Sequence, residues 1–372
     1  MIKVGIDLIN FYTPQVYLDL AELASVRQVP VEKYTVGIGQ EKMSLIDPYE
    51  DIVTMAAEAA YDIVKGREQN IGLVLFATES GVDYSKSAGV YLHSLLQLNP
   101  NCRVLEVKQA CFAATGALLL AKDYVTLHPD KLALVVASDV AWYGLNTPGE
   151  VTQGAGAVAI VVSVNPRLAV IEEGKAIVEN SKDFYRPSYN EVPIVDGKLS
   201  IRSYKELLKQ VRPDKPLKFV CFHMPFATMS DKASEVLTVP LSPETLMATK
   251  AFNKDVGNIY NGSLYLSFIS LLTTYPNSLA NETIGMFSYG SGATGETFFL
   301  TLQPSYEKVI DKKAFLSLVN QRRKADFSTY ERLMTGYEHR EKSLNFTTTI
   351  PNSKHRFVLT AIVNGHREYL KR

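Results

Sequence analysis

Six continuous apolar runs bounded by turn residues are the feature that most limits the folds open to this chain. They span 71–79, 132–139, 156–164, 217–223, 283–290 and 356–365. Because their apolar residues are continuous rather than alternating, they predict strands buried on both faces. The segments between them that read as amphipathic helices span 49–66, 87–98, 113–128 and 263–274. Strands that alternate with helices predict an α/β fold in which helices cover both faces of the sheets.

A short internal repeat suggests that the α/β pattern occurs twice. The motif G-x-G-A occurs at 154–157 and again at 290–293, and an extended run follows each copy. Each copy lies near the end of one half of the chain, where a duplicated unit would place it. We therefore predict an N-terminal half, 1–166, and a C-terminal half, 167–372. No low-complexity linker separates them, so we expect the halves to pack as one body.

The charge balance and the cysteine content exclude several classes of protein. Lys plus Arg and Asp plus Glu both number 39, so no overall field attracts nucleic acid or an anionic membrane. The start, MIKVGIDLIN, does not read as a signal peptide, and the longest apolar runs are far short of the ~20 residues of a membrane span. Three cysteines predict a reducing compartment rather than a disulfide framework. We expect a cytoplasmic protein, and we expect the interleaved charges of 321–345 to form a solvated helical face.

Reactive side chains lie at the ends of several apolar runs. Glu79, Asp139, His223 and Ser288 end or nearly end four of them, and Cys111 opens a helix after an extended run. In open α/β sheets, ligands bind beyond the carboxyl ends of the strands. The pattern therefore predicts that a carboxylate, a thiol and an imidazole converge in one site.

Cys111, Glu79 and His223 each have a simpler interpretation as well. A free cysteine such as Cys111 is usually buried and inert, although a helix N-terminus lowers the thiol pKa and favours a nucleophile. Glu79 is either a loop cap or a general base with a raised pKa in a partly desolvated cleft. His223 is either a core histidine or a catalytic group at a strand end. Cys221 is interpreted as a core thiol. Asn258 and Asn261 lie in a turn before an apolar helix, where their amides are available to a ligand carbonyl or Asn261 is an ordinary cap of that helix.

Several longer motifs resemble one known family. They are TESGVDYSKS, KQACFAAT, SDVAWYGLNTPGEVTQGAGAVA, DFYRP, HMPF, GNIYNGSLY and FSYGSG, in that order along the chain. Together they resemble the 3-hydroxy-3-methylglutaryl-CoA (HMG-CoA) synthase family of the bacterial type. The resemblance implies a thiolase-like fold, in which two similar halves form five αβαβα layers, and usually a homodimer.

The resemblance also implies a reaction. Acetyl-CoA would acetylate Cys111, Glu79 would act as general acid and base, and His223 would polarise the ketone of acetoacetyl-CoA. The reaction would belong to the mevalonate pathway. Asn258 would hold the acetoacetyl thioester, and Ser288 would line the acyl oxygen site with the Cys111 N–H. Further residues that would bind substrate or orient this machinery are Asp139, Tyr143, Thr152, Asp183 and Lys232. The CoA thioesters are substrates, so we expect no cofactor and no metal.

Two departures and several alternatives stay open on the sequence. Phe112 stands where the family usually has Tyr, and Thr228 stands where it tends to have Lys. A ketoacyl-synthase-type enzyme and a β-branching synthase with an acyl-carrier-protein acceptor would share the fold. A non-catalytic scaffold and a cysteine hydrolase are further alternatives. Glu79 favours the synthase over the ketoacyl-synthase type, because removing a proton from an unactivated acetyl group needs a base.

Overall fold

The computed structural model describes residues 2–190, 192–350 and 355–372. The strands are β1 (Val4–Tyr12), β2 (Val16–Asp19), β3 (Lys42–Leu45), β4 (Ile71–Ala77), β5 (Arg103–Val107), β6 (Leu132–Ala141), β7 (Gly154–Val164), β8 (Ala169–Val178), β9 (Phe184–Tyr185), β10 (Ile194–Val195), β11 (Phe219–Phe222), β12 (Thr283–Gly290), β13 (Thr294–Leu302), β14 (Arg323–Ala325), β15 (Phe346–Thr347), β16 (Phe357–Val363) and β17 (His366–Lys371). The helices are α1 (Leu20–Val26), α2 (Ile52–Val64), α3 (Ala88–Leu96), α4 (Ala113–Leu127), α5 (Gly197–Val211), α6 (Met229–Ser234), α7 (Pro243–Val256), α8 (Ser263–Thr274), α9 (Lys312–Asn320) and α10 (Phe327–Glu341).

The main sheet contains the same strand pattern twice. Its nine strands have the order β11-β12-β13-β8-β1-β7-β6-β4-β5. From β1 through β7 and β6 to β4, neighbours pair antiparallel, antiparallel and parallel. From β8 through β13 and β12 to β11, the pairings follow the same sequence. The prediction of two similar halves is therefore confirmed. The division at residue 166, which lies between β7 and β8, stays a prediction.

Side chains that alternate along the strands separate the core into layers. On β11, Phe219 and Cys221 join a core with helices α4 and α8, whereas Val220 and Phe222 join a second core with helix α5. On the strands of the first half, the outer core is formed with helices α2 and α3. Helices α4 and α8 therefore lie between strands of both halves, and helices cover the two outer faces. This is the αβαβα arrangement predicted from the sequence, and Cys221 is a core thiol as expected.

Two predictions about the C-terminal region are confirmed only in part. The apolar run at 356–365 contains β16, but this strand belongs to a separate three-stranded sheet with β15 and β17 rather than to the buried main sheet. The charged stretch 321–345 forms helix α10 as expected, yet Arg340 is buried. Its Nη1 donates to the carbonyl oxygens of Pro48 at 2.9 Å and Glu50 at 2.7 Å. Packing against the segment before helix α2 therefore removes part of this helical face from solvent.

One described stretch, Ala110–Leu127, is long and apolar enough to cross a membrane by length and composition alone. It consists of Cys111, its immediate neighbours and helix α4. One face of helix α4 packs in the central core through Ala113, Ala117 and Leu118. A core helix passes the same test of length and composition, so this stretch is weak evidence for a membrane span.

Candidate active site

Glu79 and Cys111 form the centre of the site. Glu79 lies two residues beyond the end of β4, and Cys111 lies two residues before helix α4 begins. The Cys111 Sγ–H donates to Glu79 Oε1 at 2.8 Å. Burial, and then the charge of Asp139, raise the pKa of Glu79 to about 8. The predicted strand-end carboxylate with a raised pKa is thus present, in direct contact with the predicted thiol.

The pKa of the Cys111 thiol is raised rather than lowered as its position before a helix suggested. A helix N-terminus alone would lower the pKa of Cys111. In the structure, burial and then the neighbouring charge of Glu79 raise the pKa of Cys111 well above its usual value. Desolvation and a carboxylate at hydrogen-bond distance outweigh the helix terminus, since both disfavour a thiolate. The resting pair is therefore a neutral thiol that donates to Glu79, and Glu79 is the group placed to receive its proton.

Asp139 holds the loop that carries Glu79. Its buried carboxylate accepts at Oδ1 from Thr78 Oγ1 at 2.8 Å and from the backbone N–H groups of Glu79 at 2.7 Å and Ser80 at 3.1 Å. The Ser80 hydroxyl donates to the same oxygen at 3.1 Å. Oδ2 accepts from the backbone N–H of Asn261 at 3.2 Å and from its Nδ2 at 3.0 Å. Both carboxylate oxygens are therefore satisfied, as a buried charge requires.

His223 and Ser288 carry buried polar atoms at the ends of the second-half strands. The backbone N–H of His223 donates to Phe287 O at 2.9 Å, and its carbonyl oxygen accepts from Tyr204 OH at 2.8 Å. Among the described residues, His223 Nδ1 and Ser288 Oγ are buried without a hydrogen-bond partner. Burial lowers the pKa of His223 to about 3, so its imidazole is neutral near pH 7. A neutral imidazole can still donate one hydrogen bond.

Glycine lets the second-half strand end approach the cysteine loop. A Cβ on Gly290 would lie 2.6 Å from Gln109 O and 2.6 Å from Phe112 Cβ, so no larger residue fits there. Phe112 follows Cys111, and its ring lies against Gly116 in the first turns of helix α4. The β12 end, which carries Ser288, is thus packed directly against the nucleophile loop.

Asp183, Tyr143 and Asn258 lie around this centre. The buried Asp183 carboxylate accepts from Tyr289 OH at 2.7 Å and from the Gly292 N–H at 2.9 Å. Asn258 Nδ2 donates to Tyr143 OH at 3.2 Å. Burial raises the pKa of Tyr143, and the charge of Cys111 is the second cause of the shift. These contacts bring Tyr143 and Asn258 together beside the reactive pair, and the roles assigned to them stay predictions.

Two of the predicted residues make no side-chain hydrogen bond to this cluster within the described part of the chain. Thr152 Oγ1 donates to Gly149 O at 2.9 Å, inside its own turn. Lys232 lies on helix α6, where its Nζ is 5.4 Å from the centre of the Phe226 ring. Thr228, at the position where a lysine was expected, donates its hydroxyl to Gly37 O at 2.9 Å. That position therefore serves to join two segments rather than to present a cation.

Sequence reasoning missed other contacts of the site. Asn261 was expected to cap helix α8, but its Oδ1 accepts from the Ala114 N–H of helix α4 at 3.1 Å. Arg186 Nη2 donates to the carbonyl oxygen of Glu79. Thr78 and Ser80 flank Glu79, so their polarity was a usable signal. Nothing in the sequence pairs Arg186 with Glu79, because only the fold brings them together.

Comparison with known proteins identifies the family of this chain. The family model described as hydroxymethylglutaryl-coenzyme A synthase N terminal matches residues 2–167, and the corresponding C-terminal model matches 228–368. The hydroxymethylglutaryl-CoA synthase of Enterococcus faecalis is 41% identical over 349 residues, which cover 88% of this chain and 90% of that relative. The chain belongs to the hydroxymethylglutaryl-CoA synthase family.

Solved structures of this family share the whole fold. An HMG-CoA synthase complexed with CoA superposes with a TM-score of 0.92 at 35% identity and covers 100% of both chains. MvaS in complex with 3-hydroxy-3-methylglutaryl coenzyme A gives a TM-score of 0.90 at 30% identity, with 100% of this chain and 99% of that chain covered. A relative with another acceptor in its name, the polyketide biosynthesis 3-hydroxy-3-methylglutaryl-ACP synthase PksG of Bacillus subtilis, is 28% identical over 423 residues, with 99% of both chains covered. The thiolase-like fold class predicted from the sequence is confirmed.

Proposed function

We propose that this chain is an acyltransferase that condenses acetyl-CoA with acetoacetyl-CoA to 3-hydroxy-3-methylglutaryl-CoA. The observation that carries the proposal is the hydrogen bond of 2.8 Å from Cys111 Sγ to Glu79 Oε1. A nucleophile in contact with a carboxylate base suits acyl transfer followed by proton abstraction from the acyl group. Membership of the HMG-CoA synthase family supports the choice of this condensation over a ketoacyl-synthase reaction.

The first step forms an acetyl-enzyme. Cys111 Sγ attacks the carbonyl carbon of acetyl-CoA, and its proton passes to the Glu79 carboxylate along the existing hydrogen bond. The bond from that carbon to the CoA sulfur breaks, and the departing sulfur takes the proton from Glu79. Ser288 Oγ, which is buried and has no partner among the described residues, and the Cys111 N–H are proposed to stabilise the oxyanion.

The second step forms the carbon–carbon bond. The Glu79 carboxylate removes a proton from the acetyl methyl group, and the resulting enolate carbon attacks the ketone carbon of acetoacetyl-CoA. Neutral His223 donates a hydrogen bond to the ketone oxygen, which becomes a hydroxyl group with the proton held by Glu79. Asn258 is proposed to hold the acetoacetyl thioester. Water then attacks the acyl carbon, the bond from that carbon to Cys111 Sγ breaks, and the product carboxylate, the free thiol and one proton are released.

We also propose a homodimer as the working form. Strand β5 lies at one edge of the main sheet, with Leu105 exposed. Leu120 and Leu127 are exposed on helix α4. Exposed apolar residues beside an open strand edge favour association with a second chain. Light scattering should give the mass of a dimer, and Leu105→Lys should yield monomers; a wild-type monomer at micromolar concentration would contradict this proposal.

The proposed setting is the mevalonate pathway in the cytoplasm, with CoA thioesters as substrates and no cofactor or metal. The described residues include three free cysteines, which fit a reducing compartment. The reaction as written needs no metal, because Glu79 and His223 supply proton transfer and polarisation. Treatment with a chelator followed by gel filtration should leave the condensation rate unchanged. A loss restored by one metal ion would contradict the expectation.

The decisive functional experiment compares two acceptors. Purified protein is given acetyl-CoA with either acetoacetyl-CoA or acetoacetyl carrier protein, and the product is identified by mass spectrometry. Hydroxymethylglutaryl-CoA should form with acetoacetyl-CoA at much the higher rate. Faster condensation on the carrier protein would instead assign the chain to β-branching in polyketide synthesis, the activity class that the name of PksG indicates for that relative. Absence of both products would favour a non-catalytic scaffold.

A further inference from the structure

We propose that Asn261 is a positioning residue that sets the distance between the nucleophile and the base. This inference rests on the proposed function, because it concerns the same site. Asn261 lies in the short helical turn Tyr260–Gly262, in the second half of the chain. The two groups that it holds, the Glu79 loop and the helix after Cys111, both belong to the first half.

Asn261 uses every side-chain polar atom for these contacts. The residue is 1% exposed. Its Nδ2 and its backbone N–H both donate to Asp139 Oδ2, at 3.0 Å and 3.2 Å. Its Oδ1 accepts from the Ala114 N–H at 3.1 Å. An amide supplies a donor and an acceptor on one rigid plane, which neither an ionised carboxylate nor an alkyl group does.

The two contacts reach the two reactive groups by short routes. The other carboxylate oxygen of Asp139, Oδ1, accepts from the Glu79 backbone N–H at 2.7 Å. Ala114 lies in the first turn of helix α4, three residues after Cys111. Asn261 is therefore a bridge from the base loop to the nucleophile helix, in parallel with the direct Cys111–Glu79 hydrogen bond. Loss of the bridge frees the base loop and the nucleophile helix to move relative to each other.

The segment that carries Asn261 is itself held firmly. Tyr260, just before it, has a φ of 42°, which a non-glycine residue adopts only when its surroundings impose it. Asn258 Oδ1 accepts from the Tyr260 N–H at 2.9 Å and from Ser263 Oγ at 2.9 Å. Because this turn is fixed by its own hydrogen bonds, it is a firm anchor for a side chain that orients other elements.

The test begins with Asn261→Ala and a matched control, Asn253→Ala. Asn253 is also a buried asparagine, 3% exposed, and its Nδ2 donates to Ser263 O at 3.1 Å, but neither Asp139 nor helix α4 is a hydrogen-bond partner of its side chain in the described part of the chain. Acetylation of Cys111 is measured by quenched flow and mass spectrometry over a range of acetyl-CoA concentrations. Asn261→Ala should lower the saturating rate by about 10²-fold, as expected for a small misplacement of reacting groups, while KM changes little. Asn253→Ala should lower only the Tm.

A second variant, Asn261→Asp, separates the two contacts. It keeps an oxygen for the Ala114 N–H but places a carboxylate against Asp139. With iodoacetamide as the probe, the pH midpoint for alkylation of Cys111 should rise by about half a unit or more, because added negative charge disfavours the thiolate. Glu79, Asp139 and Asp183 are the acidic groups whose charges already act on this thiol. Asn253→Asp serves as the charge control and should shift the midpoint less.

The outcomes distinguish this inference from the proposed function. If wild-type Cys111 is never acetylated, the proposed function fails, and the alkylation experiment still decides the role of Asn261. If the wild type is acetylated but Asn261→Ala reacts within about twofold of it, the positioning role is wrong. The inference is also overturned if Asn261→Asp and Asn253→Asp shift the alkylation midpoint equally. Circular dichroism and Tm values establish that each variant is folded.

Discussion

The reactive groups of the first half and the two strand-end groups of the second half, His223 and Ser288, reach the site in opposite states. On the first-half side, both oxygens of the buried Asp139 accept hydrogen bonds, and Cys111 donates a hydrogen bond to Glu79. On the second-half side, His223 Nδ1 and Ser288 Oγ are buried and have no partner among the described residues. Buried polar atoms are nearly always hydrogen-bonded in native proteins, so unpaired ones need an explanation.

The difference separates groups that hold the catalytic residues in place from groups that bind the reactant. A satisfied network keeps the nucleophile and the base in place, because moving either breaks several hydrogen bonds at once. Unpaired atoms at the facing strand ends cost stability in the resting protein and suit groups whose partner is the reactant. Variants on the two sides should therefore fail in different ways, and the expected effects below run from the largest to the smallest.

Glu79→Gln should have the largest effect in this comparison. The amide keeps the size of the side chain but cannot accept a proton from the acetyl methyl group. Condensation should fall by about 10²–10⁴-fold, the usual contribution of a general base, and acetylation of Cys111 should slow as well, because Glu79 receives the thiol proton in the first step. Quenched acetyl-enzyme and product are both quantified by mass spectrometry. If Glu79→Gln condenses the two substrates at the wild-type rate, Glu79 is not the general base.

His223→Asn should impair condensation on the other side of the site. Loss of the imidazole donor to the ketone oxygen is expected to cost about 10²–10³-fold in kcat, comparable to removal of one oxyanion donor. Acetylation of Cys111 should be nearly unchanged, because His223 is assigned only to the second substrate. Slowing of both half-reactions to the same extent would show that the two sides are not functionally separate.

The pH dependence of condensation should follow Glu79 alone. Its pKa is raised to about 8, and the base must be ionised to act, so kcat should fall as pH drops below 8. The slope should approach about tenfold per unit for a single required deprotonation. The pKa of His223 is lowered to about 3, so its imidazole is neutral over this range and contributes no second limb. A limb near pH 6.5 that disappears in His223→Asn would contradict this assignment.

The smallest expected effects are on the free energy of unfolding, and they should differ between the two sides of the site. Thr78→Val removes the hydroxyl that donates to Asp139 at 2.8 Å, and it should lower the free energy of unfolding by about 1–3 kcal/mol. Ser288→Ala removes a buried hydroxyl without a described partner, so the change should stay within about 1 kcal/mol or be stabilising. Urea titrations measure both. Equal losses would mean that the two sides do not differ in the way described.

Much of the fold and the reactive centre follows from local sequence features. Continuous apolar runs place β4, β6, β11 and β12, because strands buried on both faces need apolar side chains throughout. Glu79 follows β4 and Cys111 follows β5, and because these neighbouring strands are parallel, their carboxyl ends meet at one edge of the sheet. Fold class and the central pair were therefore predictable, and the motif resemblance supplied the chemistry.

The connections between elements were not predictable in the same way. Asn261 has the sequence context of a cap for the next helix, yet it reaches helix α4, which lies far away in the chain. Arg340 looks like a solvated charge, but packing against the segment before helix α2 buries it. The raised pKa of Cys111 depends on burial and on Glu79 rather than on its helix position. Each case is set by tertiary contacts, which local pattern does not encode.

The most direct test of this account is acetylation of one cysteine. The protein is incubated with acetyl-CoA alone, quenched with acid and digested, and the peptides that contain Cys102, Cys111 and Cys221 are examined by mass spectrometry. We expect an acetyl group on Cys111 that disappears when acetoacetyl-CoA is added. Unmodified Cys111, or acetyl groups spread equally over the three cysteines, would contradict it.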